Sequence, residues 1–157
     1  MVAGYALAGC SPAKKGAVGV TVDAAGRAVV VLAWCPGHPP DHVELTTGPS
    51  SKVRNFRLEP RTKLRGTHAE VPLHAPPGDW RWMGAPFGAF TPGEVYKLRS
   101  GDSDSAYTFG GSSVTAASLS RLRSGAVLTH ASESKTGTQP DTYYSPAEFR
   151  KAAEASC

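Results

Sequence analysis

The sequence predicts a mainly β domain, a sandwich of two sheets with one short helical turn and an α-helix at the C-terminus. Three observations carry this. Short apolar runs with period-2 alternation recur along the chain, which is the signature of strands with one buried face. Turn-forming clusters separate them, in keeping with 17 Gly and 13 Pro among 157 residues. Close to the end, a helix-capping signature opens the one segment with strong helical start signals. With 40% hydrophobic and 19% charged residues the chain is globular in composition, and its length suits one domain.

The elements follow in order. Val18, Val20 and Val22 alternate with Gly19 and Thr21, as in a half-buried strand. Asp23-Ala24-Ala25-Gly26 is a turn, and the continuous apolar run Ala28–Trp34 then reads as the central partner of a hairpin. Cys35-Pro36-Gly37-His38-Pro39-Pro40 ends it, because proline cannot donate to a ladder. Further strands are expected at 43–46, 53–58, 70–74, 80–83, 94–99, 106–109 and 126–130. Trp80-Arg81-Trp82 and Tyr96-Lys97-Leu98-Arg99 place aromatic or aliphatic groups on one face and cations on the other. Leu119 and Leu122 share one side of a helical turn that stops before Gly125. Ser145, Pro146 and Glu148 supply an N-cap, a first-turn proline and a capping-box acid, so a helix is expected over 146–155. Phe149 is its expected anchor, with Ala152 and Ala153 on the same side. Residues 11–17 and 131–142 read as loosely held.

Two segments resemble known families. Phe90-Thr91-Pro92-Gly93-Glu94-Val95-Tyr96-Lys97-Leu98 is similar to the Pro-Gly turn before a tyrosine-bearing strand in fibronectin-type and immunoglobulin-like sandwiches, which implies that kind of β-sandwich. Leu7-Ala8-Gly9-Cys10, followed by Ser11-Pro12, resembles the lipobox of bacterial lipoproteins. The resemblance implies cleavage before Cys10, a diacylglycerol on its thiol and an extracytoplasmic address on a membrane surface. A secretion signal needs a basic start and an apolar run of roughly 7–15 residues. No basic residue precedes Cys10, so Met1 is expected to lie inside the apolar segment, with the true start upstream. Residues 1–9 are then the end of a signal peptide, 10–17 the lipidated cysteine and its tether, and 18–157 the domain. Lys14 and Lys15 would lie in the tether, near anionic headgroups. Isoleucine is absent and Asn55 is the one asparagine, a trace of GC-rich coding. In layout the chain resembles uncharacterised lipoproteins of actinobacteria.

With Cys10 lipidated, Cys35 and Cys157 form an even pair, and a disulfide between them is expected, contributing on the order of 3–5 kcal/mol. Cys35, His38 and His42 form the densest soft-ligand cluster, a weak candidate for zinc or copper that a disulfide at Cys35 would further reduce. Arg54, Arg57, Arg61, Lys63 and Arg65 alternate with Phe56, Leu58 and Leu64. They suggest either a basic contact face for envelope polyanions or the outward charges of edge strands. Asp102 and Asp104 fall in a Gly/Ser loop that lacks the distal glutamate of a calcium hand. His68, His74 and His130 stand without partner spacing. No nucleophile elbow, phosphate loop, dinucleotide fingerprint or zincin motif occurs, and no catalytic residue or cofactor is assigned.

The sequence thus points to a monomeric, lipid-anchored binding or accessory module of the envelope, non-enzymatic, with an envelope polyanion or a protein as partner rather than nucleic acid. Two alternatives stand beside it: an envelope hydrolase or wall-modifying enzyme with a site assembled from distant residues, and metal handling through the His38/His42 loop.

Overall fold

The computed structural model describes residues 12–48, 52–104, 106–130 and 140–157. Cys10 lies outside the described residues. Among the described residues, eleven strands and two helices succeed one another as β1 Ala13–Val22, β2 Ala28–Trp34, β3 His42–Thr47, β4 Arg54–Pro60, β5 His68–Pro72, β6 Trp80–Trp82, β7 Tyr96–Gly101, β8 Tyr107–Gly110, β9 Ser112–Val114, α1 Ala116–Arg121, β10 Val127–His130, β11 Thr142–Tyr144 and α2 Pro146–Glu154.

The strands hydrogen-bond in the order β5-β2-β1-β10-β9-β7-β3-β4-β6, with β11 added to β10 and β8 bridging β1 and β7. Two antiparallel arms, β5-β2-β1 and β6-β4-β3-β7, face each other. Val20, Val30, Leu32 and Val71 of the first meet Val43, Leu45, Leu58 and Leu98 of the second in one core, all fully buried. The fold is therefore mainly β with sandwich packing, as the alternating pattern predicts.

The uninterrupted apolar run of β2 has a physical cause in its position. Val30, Leu32 and Trp34 enter the main core, while Val31 and Ala33 face a second cluster under α2. A strand covered on both faces has no polar side to show. In β1, Val18, Val20 and Val22 point into the core. Gly19 on the opposite side lies under α2: a Cβ there would stand 2.6 Å from Val127 Cγ1 and 3.2 Å from Phe149 Cε2. Helix and strand thus approach more closely than a side chain would allow.

The start of α2 is set by its sequence. Ser145 Oγ accepts from the Glu148 N–H at 3.2 Å, and Glu148 Oε2 accepts from the Ser145 N–H at 2.7 Å. Phe149 and Ala153, four residues apart, are buried against Ala33 and Val127. Ala152, expected on that side, is exposed instead because the helical period turns it away. The Cys35–Cys157 disulfide ties the end of this helix to the end of β2, with Cα atoms 5.4 Å apart. At α1, Thr115 and Ser118 form a second capping box, while Leu119 and Leu122 pack on the main core.

The Phe90 to Leu98 segment builds a corner. Tyr96 is fully buried, its ring edge-on to Phe87 and Phe90, and its hydroxyl accepts from the Thr91 N–H at 3.0 Å. Gly93, at φ 80°, makes the turn that brings the chain back.

Three expectations change. Residues 13–17 are not tether but the first half of β1, because β8 offers them a parallel partner, with Lys14 opposite Thr108. The domain accordingly begins before residue 18. Strands β9 and β11 were not foreseen, since three residues each carry too little pattern. Thr142, read as loosely held, lies in β11, while 131–139 fall outside the described residues. No helix among the described residues is long and apolar enough to cross a membrane.

Candidate functional site

The outward face of the second arm concentrates polar chemistry, and the strand period explains why. Since Val43, Leu45, Leu58, Tyr96 and Leu98 point inward, their neighbours Glu44, Arg57, Lys97 and Arg99 must point outward. The register sets Glu44 between Arg57 and Arg99, and Thr46 between Asn55 and Lys97. Lys97 pairs across to Ser113 of β9, and Ser113 in turn to His130 of β10. Cations from two strands thus meet a histidine and a hydroxyl from two others.

The charges are unevenly satisfied. Arg57 Nε donates to Glu59 Oε1 at 2.7 Å, its Nη2 donates to Ser103 Oγ at 2.7 Å, and Glu44 lies 3.9 Å from Nη1. Arg81 stands 3.8 Å from the other oxygen of Glu59. Among the described residues, Arg99 makes no hydrogen bond or ion pair. It is the joint wall of two clefts. One, of about 290 Å³, is bordered by His42, Glu44, Arg57 and Asp102. The other, of about 270 Å³, is bordered by Lys97, Gly111, Ser113 and His130. Ser113 Oγ lies 3.0 Å from His130 Nδ1.

A network at the end of β3 fixes the β7–β8 turn. Asp41 accepts from the Ser103 N–H at 2.9 Å, from Ser103 Oγ at 2.9 Å, and bonds His42 Nδ1 at 2.6 Å. Partial burial alone would raise the Asp41 carboxyl, but the bonds from His42 and Ser103 outweigh it and hold the group below its ordinary value.

The five cations singled out in the sequence do not share a surface. Arg54 sits at the start of β4 and pairs with Glu94 at the tyrosine corner. Arg57 lies on the outward face, and Arg61 Nε donates to the Gly78 carbonyl at 3.0 Å. Lys63 and Arg65 are exposed beyond the end of the strand. A cleft of about 340 Å³ beside Arg61 and Lys63 is shared with Asp41 and Asp102, which offset their charge. Of the five, only Arg57 joins Lys97 and Arg99. The alternation in Tyr96-Lys97-Leu98-Arg99 announced these two as outward cations; their meeting with His130 depends on a parallel pairing that no local pattern encodes.

His38 and His42 are engaged apart from each other. His38 Nδ1 lies 3.1 Å from the Pro36 carbonyl with its ring edge-on to Tyr107, His42 is held by Asp41, and Cys35 is in the disulfide. Among the described residues, no group of three or more His, Cys, Asp or Glu could hold a metal ion. The clefts, up to about 340 Å³, lie at the small end of ligand pockets. One of about 320 Å³ runs between α2 and β5, past Val31, Glu70, Phe149 and Arg150. No protein-family model, curated protein or solved structure matches the chain.

Proposed function

We propose that this protein is a lipid-anchored, extracytoplasmic binding module of the cell envelope, held by an acylated Cys10 and using the outward face of β3, β4, β7 and β9 as its contact surface. The observation that carries the reading is the Cys35–Cys157 disulfide. Such bridges persist in oxidising compartments outside the cytosol, and this one engages two of the three cysteines. That leaves Cys10, in its lipobox setting, for the lipid. The start of β1 at Ala13 would keep the domain within a few residues of the bilayer.

The test is to express the gene with its upstream coding region in a bacterium that processes lipoproteins, then measure intact mass and membrane partition. The expected product begins at Cys10, carries a diacylglycerol and sediments with membranes, and Cys10→Ala releases it. Recovery of a soluble cytosolic chain with an unmodified Cys10 would overturn the reading.

A second reading, a wall-modifying hydrolase, has the Ser113 and His130 pair in its favour. Among the described residues no carboxylate bonds His130, so the third member of a triad is not supplied there. Labelling of the intact chain by a fluorophosphonate probe, abolished in Ser113→Ala, would shift the reading to this enzyme.

A further inference from the structure

We infer that the outer edge of β5 is a dimerisation surface, to which a second copy of this chain adds its own β5, antiparallel, about a two-fold axis at Ala69. The inference stands apart from the lipid-anchor reading and replaces the monomer expected from the sequence.

Its position leaves β5 open. The strand ends the sheet order, hydrogen-bonded to β2 alone among the described residues. The Trp34 N–H donates to the Thr67 carbonyl and the Leu73 N–H to the Ala28 carbonyl, which fixes the alternation along β5. Ala69 and Val71 therefore turn their backbone groups towards β2, while His68, Glu70 and Pro72 turn theirs outward. Val71 is buried in the core, whereas His68 and Glu70 are exposed. Among the described residues, no hydrogen bond or ion pair engages the side chain of either. At the other end of the order, β6 has three residues, and its Trp80 N–H is already given to the Pro77 carbonyl at 2.8 Å.

The register identifies the partner. Only residues with outward backbone groups can exchange hydrogen bonds across the new joint. Centred on Ala69, the pairing sets His68 opposite Glu70 of the second copy, and Glu70 opposite its His68. Each pair exchanges two backbone bonds and places an imidazole beside a carboxylate on one face. An imidazole has an N–H to donate in either protonation state, and complementary partners of this kind strengthen an antiparallel pair. The neighbouring registers fail on the same residues. Centring on Glu70 sets carboxylate against carboxylate and asks Pro72 for an N–H it lacks. Centring on His68 sets imidazole against imidazole and carries Glu70 out to Gly66, past the end of the strand at φ 78°. Proline and charge commonly guard an edge against other strands. Here they leave one register open, and in it β5 is complementary to itself, as an isologous two-fold contact requires.

The axis stands normal to the sheet, so both α2 helices remain on one side of it. The cleft of about 320 Å³ between α2 and β5, which Glu70 borders, then faces its copy across the joint. With 5 residues in each strand the contact is small, so the dissociation constant is on the order of 10–1,000 μM.

The experiment uses the full chain with Cys10→Ser, which removes lipid-driven and disulfide-linked association. Sedimentation equilibrium from about 10 μM to 1 mM reads the association, and NMR amide shifts over the same range locate it. The expected result is a monomer–dimer equilibrium with concentration-dependent shifts centred on residues 68–70. Glu70→Pro removes an outward N–H that the bond to β2 does not use, and weakens the dimer about tenfold or more at an unchanged melting temperature. His68→Glu sets two carboxylates opposite each other and weakens it without altering the backbone. An equal mixture of His68→Glu and Glu70→Lys chains regains a heterodimer, because the new carboxylate meets the new ammonium while Glu70 meets His68. The inference is overturned if the parent stays monomeric throughout, if the shifts centre on β6 instead, if His68→Glu associates as tightly as the parent, or if the mixture associates no better than its components.

Discussion

Breaking the Cys35–Cys157 bridge gives the sharpest test of how the fold is held. The bridge joins residues 122 apart in sequence. A cross-link closing a loop of that size removes enough freedom from the unfolded chain to stabilise the native state by about 5 kcal/mol in the chain-entropy treatment. Domains of this size have a total stability of roughly 5–15 kcal/mol, so the loss would be a third of it or more. The variant Cys35→Ser with Cys157→Ser, in a Cys10→Ser background to prevent mispairing, is unfolded in urea and followed by the fluorescence of the buried Trp34 and Trp80. With a urea slope of about 2 kcal/mol per molar, the midpoint should fall by about 2.5 M. Hydrogen exchange on α2, read in parallel, separates two mechanisms. If the tryptophan midpoint stays in place and only the α2 amides lose protection, the bridge is a local staple and the whole-chain argument is wrong.

Three further outcomes follow from packing and charge. Gly19→Ala drives a Cβ to 2.6 Å from Val127 Cγ1 and 3.0 Å from the Leu128 carbonyl, and should cost about 1–3 kcal/mol in a thermal melt; an unchanged melting temperature would show that α2 lifts off freely. Phe149→Ala empties the centre of the second cluster and should cost about 3–4 kcal/mol by urea denaturation, since the ring is only 1% exposed. Asp41 is held below its ordinary value, so its ionised form stabilises the fold. That contribution is complete above about pH 5 and is lost as pH falls through the folded-state value. The stability gap between the parent and Asp41→Ala, at most about 1 kcal/mol because the side chain is half exposed, should therefore hold from about pH 5 to 8 and close towards pH 2; a gap that persists at low pH contradicts the assignment.

What the sequence disclosed was local or combinatorial. The alternation of Val18, Val20 and Val22, the proline stop after Trp34 and the capping box at Ser145 are all present as drawn from the chain alone. The disulfide followed from counting cysteines once Cys10 was set aside. What it hid was long-range pairing. Lys14 and Lys15 looked like linker because their strand partner, β8, is too distant in sequence for any local pattern to reveal. The basic stretch from Arg54 to Arg65 looked like a surface because charge was counted along the chain. In space Arg54 is neutralised by Glu94, Arg57 by Glu59, and two acids border the cleft at Arg61 and Lys63. The richer cluster comes from Lys97 and Arg99, two cations that sequence density does not distinguish.

The placement of β1 also governs when this protein can fold. Its first strand is completed only by β8 and β10, and the end of its first hairpin is joined covalently to Cys157, the last residue of the sequence. A nascent chain emerging N-terminus first would hold an unfinished sheet until β8 and β10 appeared. Assembly then has high contact order, is slow on the scale of helical domains, and needs an oxidant once Cys157 has followed Cys35 by 122 residues. Until then the chain remains threadable.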